Sequence, residues 1–255
     1  MCLIFFALDH HPEYKLVVAG NRDEFYKRKT AAAGFWGDYP EILGGRDLEA
    51  MGTWLGMTRT GRISMLTNYR DLRTLKSNAP SRGHLVSDFL RLNVPPDEYL
   101  QHISAEGDRF NGFNLLVGTP DEFWYYSNYG NGIARIGQGI FGLSNHLLDT
   151  PWPKVARGKS GFASILDDRI IDTNALFQLL YDEDVADDRL LPDTGLPLER
   201  ERALSSIFIK TPDYGSRCST VILVDRNNKV TFKERVFDVT TFSFQEQTFE
   251  FVIDA

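Results

Sequence analysis

The chain has 255 residues, with 28 Lys and Arg against 35 Asp and Glu, for a net charge of −7. Hydrophobic residues make up 42% and charged residues 25%, which excludes disordered and fibrous classes and leaves enough apolar material for a self-sufficient core. The acidic balance argues against bulk nucleic-acid binding, and two cysteines exclude a disulfide scaffold and a Cys-based zinc cluster. The first stretch, Cys2 to Leu8, is continuously apolar, and Lys15–Ala19 follows after the polar segment His10-His11-Pro12-Glu13-Tyr14. The pair predicts a hairpin whose strands are buried on both faces. The segments 53–58 and 62–67 flank Arg59-Thr60-Gly61, a turn in which Gly supplies positive φ. Helices are predicted over 81–93, with Ser81 as a capping-type start, and over 96–103. Three more hairpins are predicted: 113–117 with 122–127, 133–136 with 140–143 around Gly137-Gln138-Gly139, and 218–224 with 229–235. Between the last two lie helical segments 152–166, 173–181 with Thr173 as a candidate cap, and 198–207. Hairpins at both ends and helices between them predict strands from distant sequence joining one core, a single α+β domain over residues 1–255.

No apolar run reaches the roughly 18 residues needed to span a bilayer. The start, MCLIFFALDHH, has no basic segment, and its apolar run ends at Asp9, unlike a signal peptide. The expected location is therefore a reducing, cytoplasmic compartment. The GxGxxG spacing of Gly137-Gln138-Gly139-Ile140-Phe141-Gly142 falls inside the hairpin predicted over 133–136 and 140–143 and opens no helix, and there is no P-loop, HxxxH or CxxC pattern, so neither a nucleotide site nor a structural metal is expected.

Cys2 is the most informative position. Methionine aminopeptidases remove Met1 when the second side chain is small, and the chain would then open with a thiol and an α-amine on one carbon. That amine has a reference pKa of about 7.7–8.0 and can take the thiol proton. A nearby guanidinium would activate the thiol further. Equally, Cys is a common small buried hydrophobe. If the opening hairpin pairs, Asn21-Arg22-Asp23-Glu24 lies beside Cys2. Arg22 then lowers the thiol pKa or binds an acidic group, Asp23 holds the amine and Asn21 donates to an oxyanion; the alternative is a charged turn solvating a strand end. Asn68 and Asn145 each follow an apolar strand and can aim an amide at a shared cleft, or bond their own turns. Arg217 is a further strand-edge cation.

Met1-Cys2, Asn21-Arg22-Asp23-Glu24, Gly52-Thr53-Trp54-Leu55-Gly56, Thr67-Asn68-Tyr69-Arg70 and Gly142-Leu143-Ser144-Asn145 together resemble the NRDE family, the transport-and-Golgi-organisation proteins. The resemblance covers essentially the whole chain. More distantly, the layout is similar to the N-terminal-nucleophile cysteine hydrolases that cleave bile-salt and penicillin amides. It implies a four-layer αββα sandwich of two mainly antiparallel sheets covered by helices. It also implies Cys2 as nucleophile, Arg22 and Asp23 around the amine and thiol, and Asn68 and Asn145 near an oxyanion. Arg22 and Asp23 are adjacent, unlike their spacing in those hydrolases, so from an extended strand they leave opposite faces.

Two functions follow. In one, Cys2 attacks an amide or thioester carbonyl and forms an acyl-enzyme. In the other, the cleft carries a partly apolar, acidic small molecule such as haem, an acyl-CoA or a lipid without turnover. Arg22, Arg70 and Arg217 would then meet carboxylates or phosphates, Asn21 and Glu24 would add polar contacts, and Trp54 would line the wall. Neither needs a resident cofactor; in the second, haem is cargo, with Cys2 or His10 as a candidate axial ligand. The family's association with Golgi organisation suggests a third role in vesicle traffic, for which no amphipathic membrane helix or basic stretch is visible.

Overall fold

A computed structural model of the protein describes residues 2–254. Its elements, in chain order, begin with strands β1 (Cys2–Leu8), β2 (Tyr14–Phe25), β3 (Thr30–Phe35), β4 (Ile42–Asp47), β5 (Leu55–Thr58) and β6 (Ile63–Asn68). Helices α1 (Gly83–Arg91) and α2 (Pro96–Glu106) precede strands β7 (Phe113–Thr119), β8 (Glu122–Ser127), β9 (Ala134–Ile136) and β10 (Gly139–Leu143). Helices α3 (Pro153–Leu166), α4 (Thr173–Leu180) and α5 (Leu198–Ala203) lead to strands β11 (Tyr214–Asp225), β12 (Lys229–Phe237) and β13 (Phe244–Val252).

The strands form two antiparallel sheets, ordered β10-β1-β2-β11-β12-β13 and β3-β4-β5-β6-β7-β8-β9. Strand β1 explains the layering. Alternate side chains leave opposite faces of a strand, and every residue of β1 is buried. Ile4, Phe6 and Leu8 pack between the sheets against Leu55, Met57, Met65 and Leu116. Leu3, Phe5 and Ala7 pack on the other face against Val155, Phe162 and Phe177 of α3 and α4. On the far side of the second sheet, Leu66, Leu115 and Val117 meet Val86, Phe89 and Leu100 of α1 and α2. The result is the four-layer αββα sandwich.

Four of the predicted hairpins form, and Gly61 supplies the expected positive φ, +83°. The pair around Gly137-Gln138-Gly139 does not form a hairpin: β9 pairs with β8, whereas β10 crosses to the other sheet and pairs with β1. Gly139 takes φ +152° at that crossing, and Phe141 beyond it stacks on Phe6 at 5.0 Å between centroids. Strand β2 runs to Phe25, so Asn21-Arg22-Asp23-Glu24 lies within a strand rather than after one. Asp172, not Thr173, caps α4, its carboxylate accepting from the Asn174 backbone N–H. Ser81 does not cap α1, and α5 ends at Ala203.

Candidate functional site

A cleft of about 380 Å³ opens between the sheets at the Cys2 end of β1. Pairing places Cys2 opposite Arg22, and Arg22 opposite Cys218. These three residues therefore form one row across β1, β2 and β11 on a single sheet face, and all three line the cleft. Between Ser216 and Cys218 the β2–β11 register slips by one residue. Arg217 occupies that bulge, a device that re-aims a side chain, and it too reaches the cleft. Its Nη1 donates to the carbonyls of Phe25, Tyr26 and Arg28 at 3.0–3.1 Å.

The neighbours of Arg22 diverge, as the alternation of a strand requires. Asn21 points into the helical layer, where its Nδ2 donates to the Leu180 and Ile207 carbonyls at 2.8 and 3.0 Å. Its Oδ1 accepts from Ser219 Oγ at 2.6 Å. Asn21 thus anchors α4 to the sheet and does not line the cleft. Asp23 lies at the cleft edge, its Oδ1 accepting from Ser216 Oγ at 2.7 Å. Glu24 lines the cleft and pairs loosely with Arg22, at 3.7 Å.

Asn68 and Trp54 both line the cleft. Asn145 is buried one layer back: its Nδ2 donates to the Asn68 carbonyl at 3.1 Å, so it holds Asn68 instead of facing a ligand. Arg70 turns away from the cleft altogether. Its Nη2 bonds Glu201 Oε2 at 2.8 Å in a buried pair, and its guanidinium lies 4.8 Å from the Trp152 ring centroid. His10 is exposed beyond the opposite end of β1.

Three contributors escaped the sequence reading. Glu234 of β12 is buried and lines the cleft, its Oε1 accepting from the Ala33 N–H at 2.6 Å and its Oε2 from Thr220 Oγ1 at 3.3 Å. The signal was its parity, for Glu234 shares the inward face with Val230 and Phe232. Lys154 is buried in the first turn of α3, where a cation opposes the helix dipole unless an acid faces it. Arg82 lines the cleft from the loop preceding α1, its Nη1 donating to the Gly112 carbonyl at 2.7 Å; nothing in the sequence singles it out from other loop arginines.

Burial pushes the Cys2 thiol up to about 11, against the Arg22 guanidinium and the Asp23 backbone N–H, which favour the thiolate. Burial also raises Asp23, opposed by Lys154 and by its bond from Ser216, and brings Lys154 down to about 8. Met1, on whose removal the α-amine depends, lies outside the described residues. Arg28 is paired with Asp47 at 2.5 Å and Arg46 with Asp38 at 2.5 Å. Among the described residues, neither Arg82 nor Arg217 has a carboxylate within ion-pair distance, although Glu24 acts on both from farther off; the cleft therefore carries two guanidinium groups outside any direct ion pair. No cluster of three or more His, Cys, Asp or Glu side chains is arranged for a metal ion among the described residues. Nor is any helix among them long and apolar enough to cross a membrane.

The sequence profile described as Transport and Golgi organisation 2 matches residues 1–239. The bovine Transport and Golgi organization protein 2 homolog is 40% identical over 256 residues, covering 92% of each chain. The mouse homolog is 36% identical over 277 residues, covering both chains completely. Among solved structures, the Caenorhabditis elegans ortholog of N-acylethanolamine-hydrolyzing acid amidase superposes with a TM-score of 0.50 at 11% identity, covering 87% of this chain and 92% of the other. At that identity the likeness concerns the fold. The row of Cys2, Arg22 and Cys218 and the two-sheet frame around it thus belong to a chain of the Transport and Golgi organisation 2 family, built on an N-terminal-nucleophile-hydrolase-like fold.

Proposed function

We propose that the cleft takes an acyl compound with an anionic head group and that Cys2, freed of Met1, hydrolyses its thioester or amide bond. The observation that carries this reading is the row Cys2–Arg22–Cys218 at the base of a cleft that Arg82 and Arg217 enter without carboxylate partners. An arginine without an acid is a site for phosphate or carboxylate, because its planar donors match those anions. The acyl preference agrees with the substrate class in the name of the Caenorhabditis elegans neighbour.

The chemistry balances without an added group. The Cys2 sulfur attacks the carbonyl carbon, a C–S bond forms, and the thiol proton passes to the α-amine. The oxyanion receives donors at the cleft wall, for which the Asn68 amide is available. Collapse breaks the bond to the leaving nitrogen or sulfur, which takes the proton from the ammonium. Water then adds to the acyl-cysteine, giving one proton to the amine. The C–S bond breaks, and the sulfur recovers its proton.

Carriage without turnover is the second reading, favoured by the burial that keeps the Cys2 thiol protonated when no amine assists it. For haem the support is weaker. His10 lies past the far end of β1, a strand about 20 Å long at 3.3 Å per residue, so it is remote from the cleft at Cys2 and the two cannot bind one iron. The test is turnover of acyl thioesters that carry a phosphorylated head group, followed by thiol release. Cys2→Ala should abolish release while the compound still binds. Arg82→Met should raise KM about tenfold, the loss of one charge-assisted contact, with kcat little changed. Binding with no thiol release by the wild type would favour carriage, and absence of both would end the acyl reading.

A further inference from the structure

Lys154 is 2% exposed, and its Nζ has no hydrogen-bond partner among the described residues. Lysine is almost never buried so completely unless it is paired. Its location follows from the course of α3. The middle of the helix crosses β1 where Gly158 meets the Phe5 ring. Just past its end, the Asp168 carbonyl meets His11 Nε2 at 2.9 Å, beyond the far end of β1. Helix α3 therefore runs alongside β1 in the same direction, and its first turn lies behind the Cys2 end of the strand. The β1–β2 register turns the amino end of Cys2 toward Asp23, and both residues lie within the electrostatic reach of Lys154.

Resting on the reading that Met1 is removed, we propose that Lys154 is a positioning residue for the nucleophile: its buried ammonium favours loss of the first proton from the amine–thiol pair of Cys2. A fixed positive charge beside a group that holds an extra proton favours the form that has lost it. This holds whichever atom of the coupled pair gives up the proton. The surroundings oppose and assist in a definite pattern. At the thiol, Asp23 of β2 opposes loss of the proton and Arg22 of β2 favours it, while Asp23 and Glu201 of α5 favour the Lys154 ammonium and Arg70, which follows β6, disfavours it. Arg70 is held by Glu201 and Arg22 faces Glu24, so Lys154 is the cation in this group without a paired carboxylate among the described residues. Tyr214 of β11 is neutral there, its hydroxyl raised well above its usual value by burial. Burial brings Lys154 itself to about 8, so its charge is present at neutral pH and fades in mild alkali.

The experiment follows Cys2 alkylation by iodoacetamide across pH in the full chain, with intact mass establishing that it begins at Cys2. Lys154→Met should move the acid limb of the profile to higher pH and slow alkylation roughly tenfold near about pH 6.5, the effect of one lost charge. Lys154→Arg, which keeps the charge, should leave the limb in place. An unmoved limb in Lys154→Met, with only a lowered Tm, overturns the inference and leaves the proposed function standing. Should Lys154→Met fail to fold, competitive acetylation of the wild-type α-amine decides: a midpoint below the reference of about 7.7–8.0 supports the inference, and one at or above it overturns it. Retention of Met1 would overturn the amine mechanism and this inference together.

Discussion

Two buried acids, Asp23 and Glu234, and two buried thiols, Cys2 and Cys218, line the cleft, and burial is the largest influence on the ionisation of each. Cys2 is pushed up to about 11 although Arg22 stands opposite it. A cysteine in that state is a poor nucleophile at neutral pH, so an adjacent amine is what would make it competent. Glu234 illustrates the same balance away from the nucleophile. Burial raises its carboxyl from 4.5, against its bonds from Ala33 N–H and Thr220. Because the folded value lies above the unfolded one, Glu234 contributes stability below the ordinary carboxylate range. That contribution is lost as pH rises through the raised folded value. Glu234→Gln keeps an acceptor for Ala33 and removes the ionisation. Denaturant unfolding should therefore show the variant at least as stable as wild type at neutral pH, without the wild type's decline on leaving acid. A variant less stable at neutral pH would show that the ionised carboxylate is needed.

The packing of α3 on β1 fixes how Lys154 lies relative to Cys2, and it depends on a missing side chain. A Cβ at Gly158 would overlap the Phe5 ring, which is buried and stacked on Phe162 at 6.1 Å. Gly158→Ala should cost about 1–3 kcal/mol by overpacking, read as a lower denaturant midpoint; an unchanged midpoint would mean that α3 slides freely on the strand. Such contacts lie outside what a sequence displays. The apolar runs of β1, β7 and β11 were legible because two-face burial leaves no polar alternation. The helices showed through their apolar stripes. Strands β3 and β4 were not legible: Thr30-Ala31-Ala32-Ala33-Gly34-Phe35 and Ile42-Leu43-Gly44-Gly45-Arg46-Asp47 are poor in β-formers. Gly44 is needed there because a Cβ would press on the Leu55 carbonyl at 2.7 Å. Cys2, Arg22 and Asn68 were legible as residues of one cleft from their places at strand ends. Asn21, Arg70 and Asn145 were assigned to the cleft from the same pattern, but strand parity and buried partners direct them elsewhere.

The chain as a whole is acidic, with a net charge of −7, yet its cleft gathers arginines from segments far apart in sequence. The long pairing of β2 with β11, from Tyr214 opposite Phe25 to Asp225 opposite Tyr14, joins the two ends of the chain. It is the spine on which Cys2, Arg22 and Arg217 are assembled. This frame places Cys2, Arg22, Arg82 and Arg217 at one mouth, the arrangement that the proposed acyl transfer requires. The most direct measurement is intact mass after brief incubation with an acyl thioester bearing an anionic head group, followed by rapid acid quench. The account predicts a chain beginning at Cys2 that gains one acyl mass, lost on longer incubation and absent in Cys2→Ala. A chain that retains Met1, or that binds the thioester and returns it whole with no acyl adduct, would contradict it.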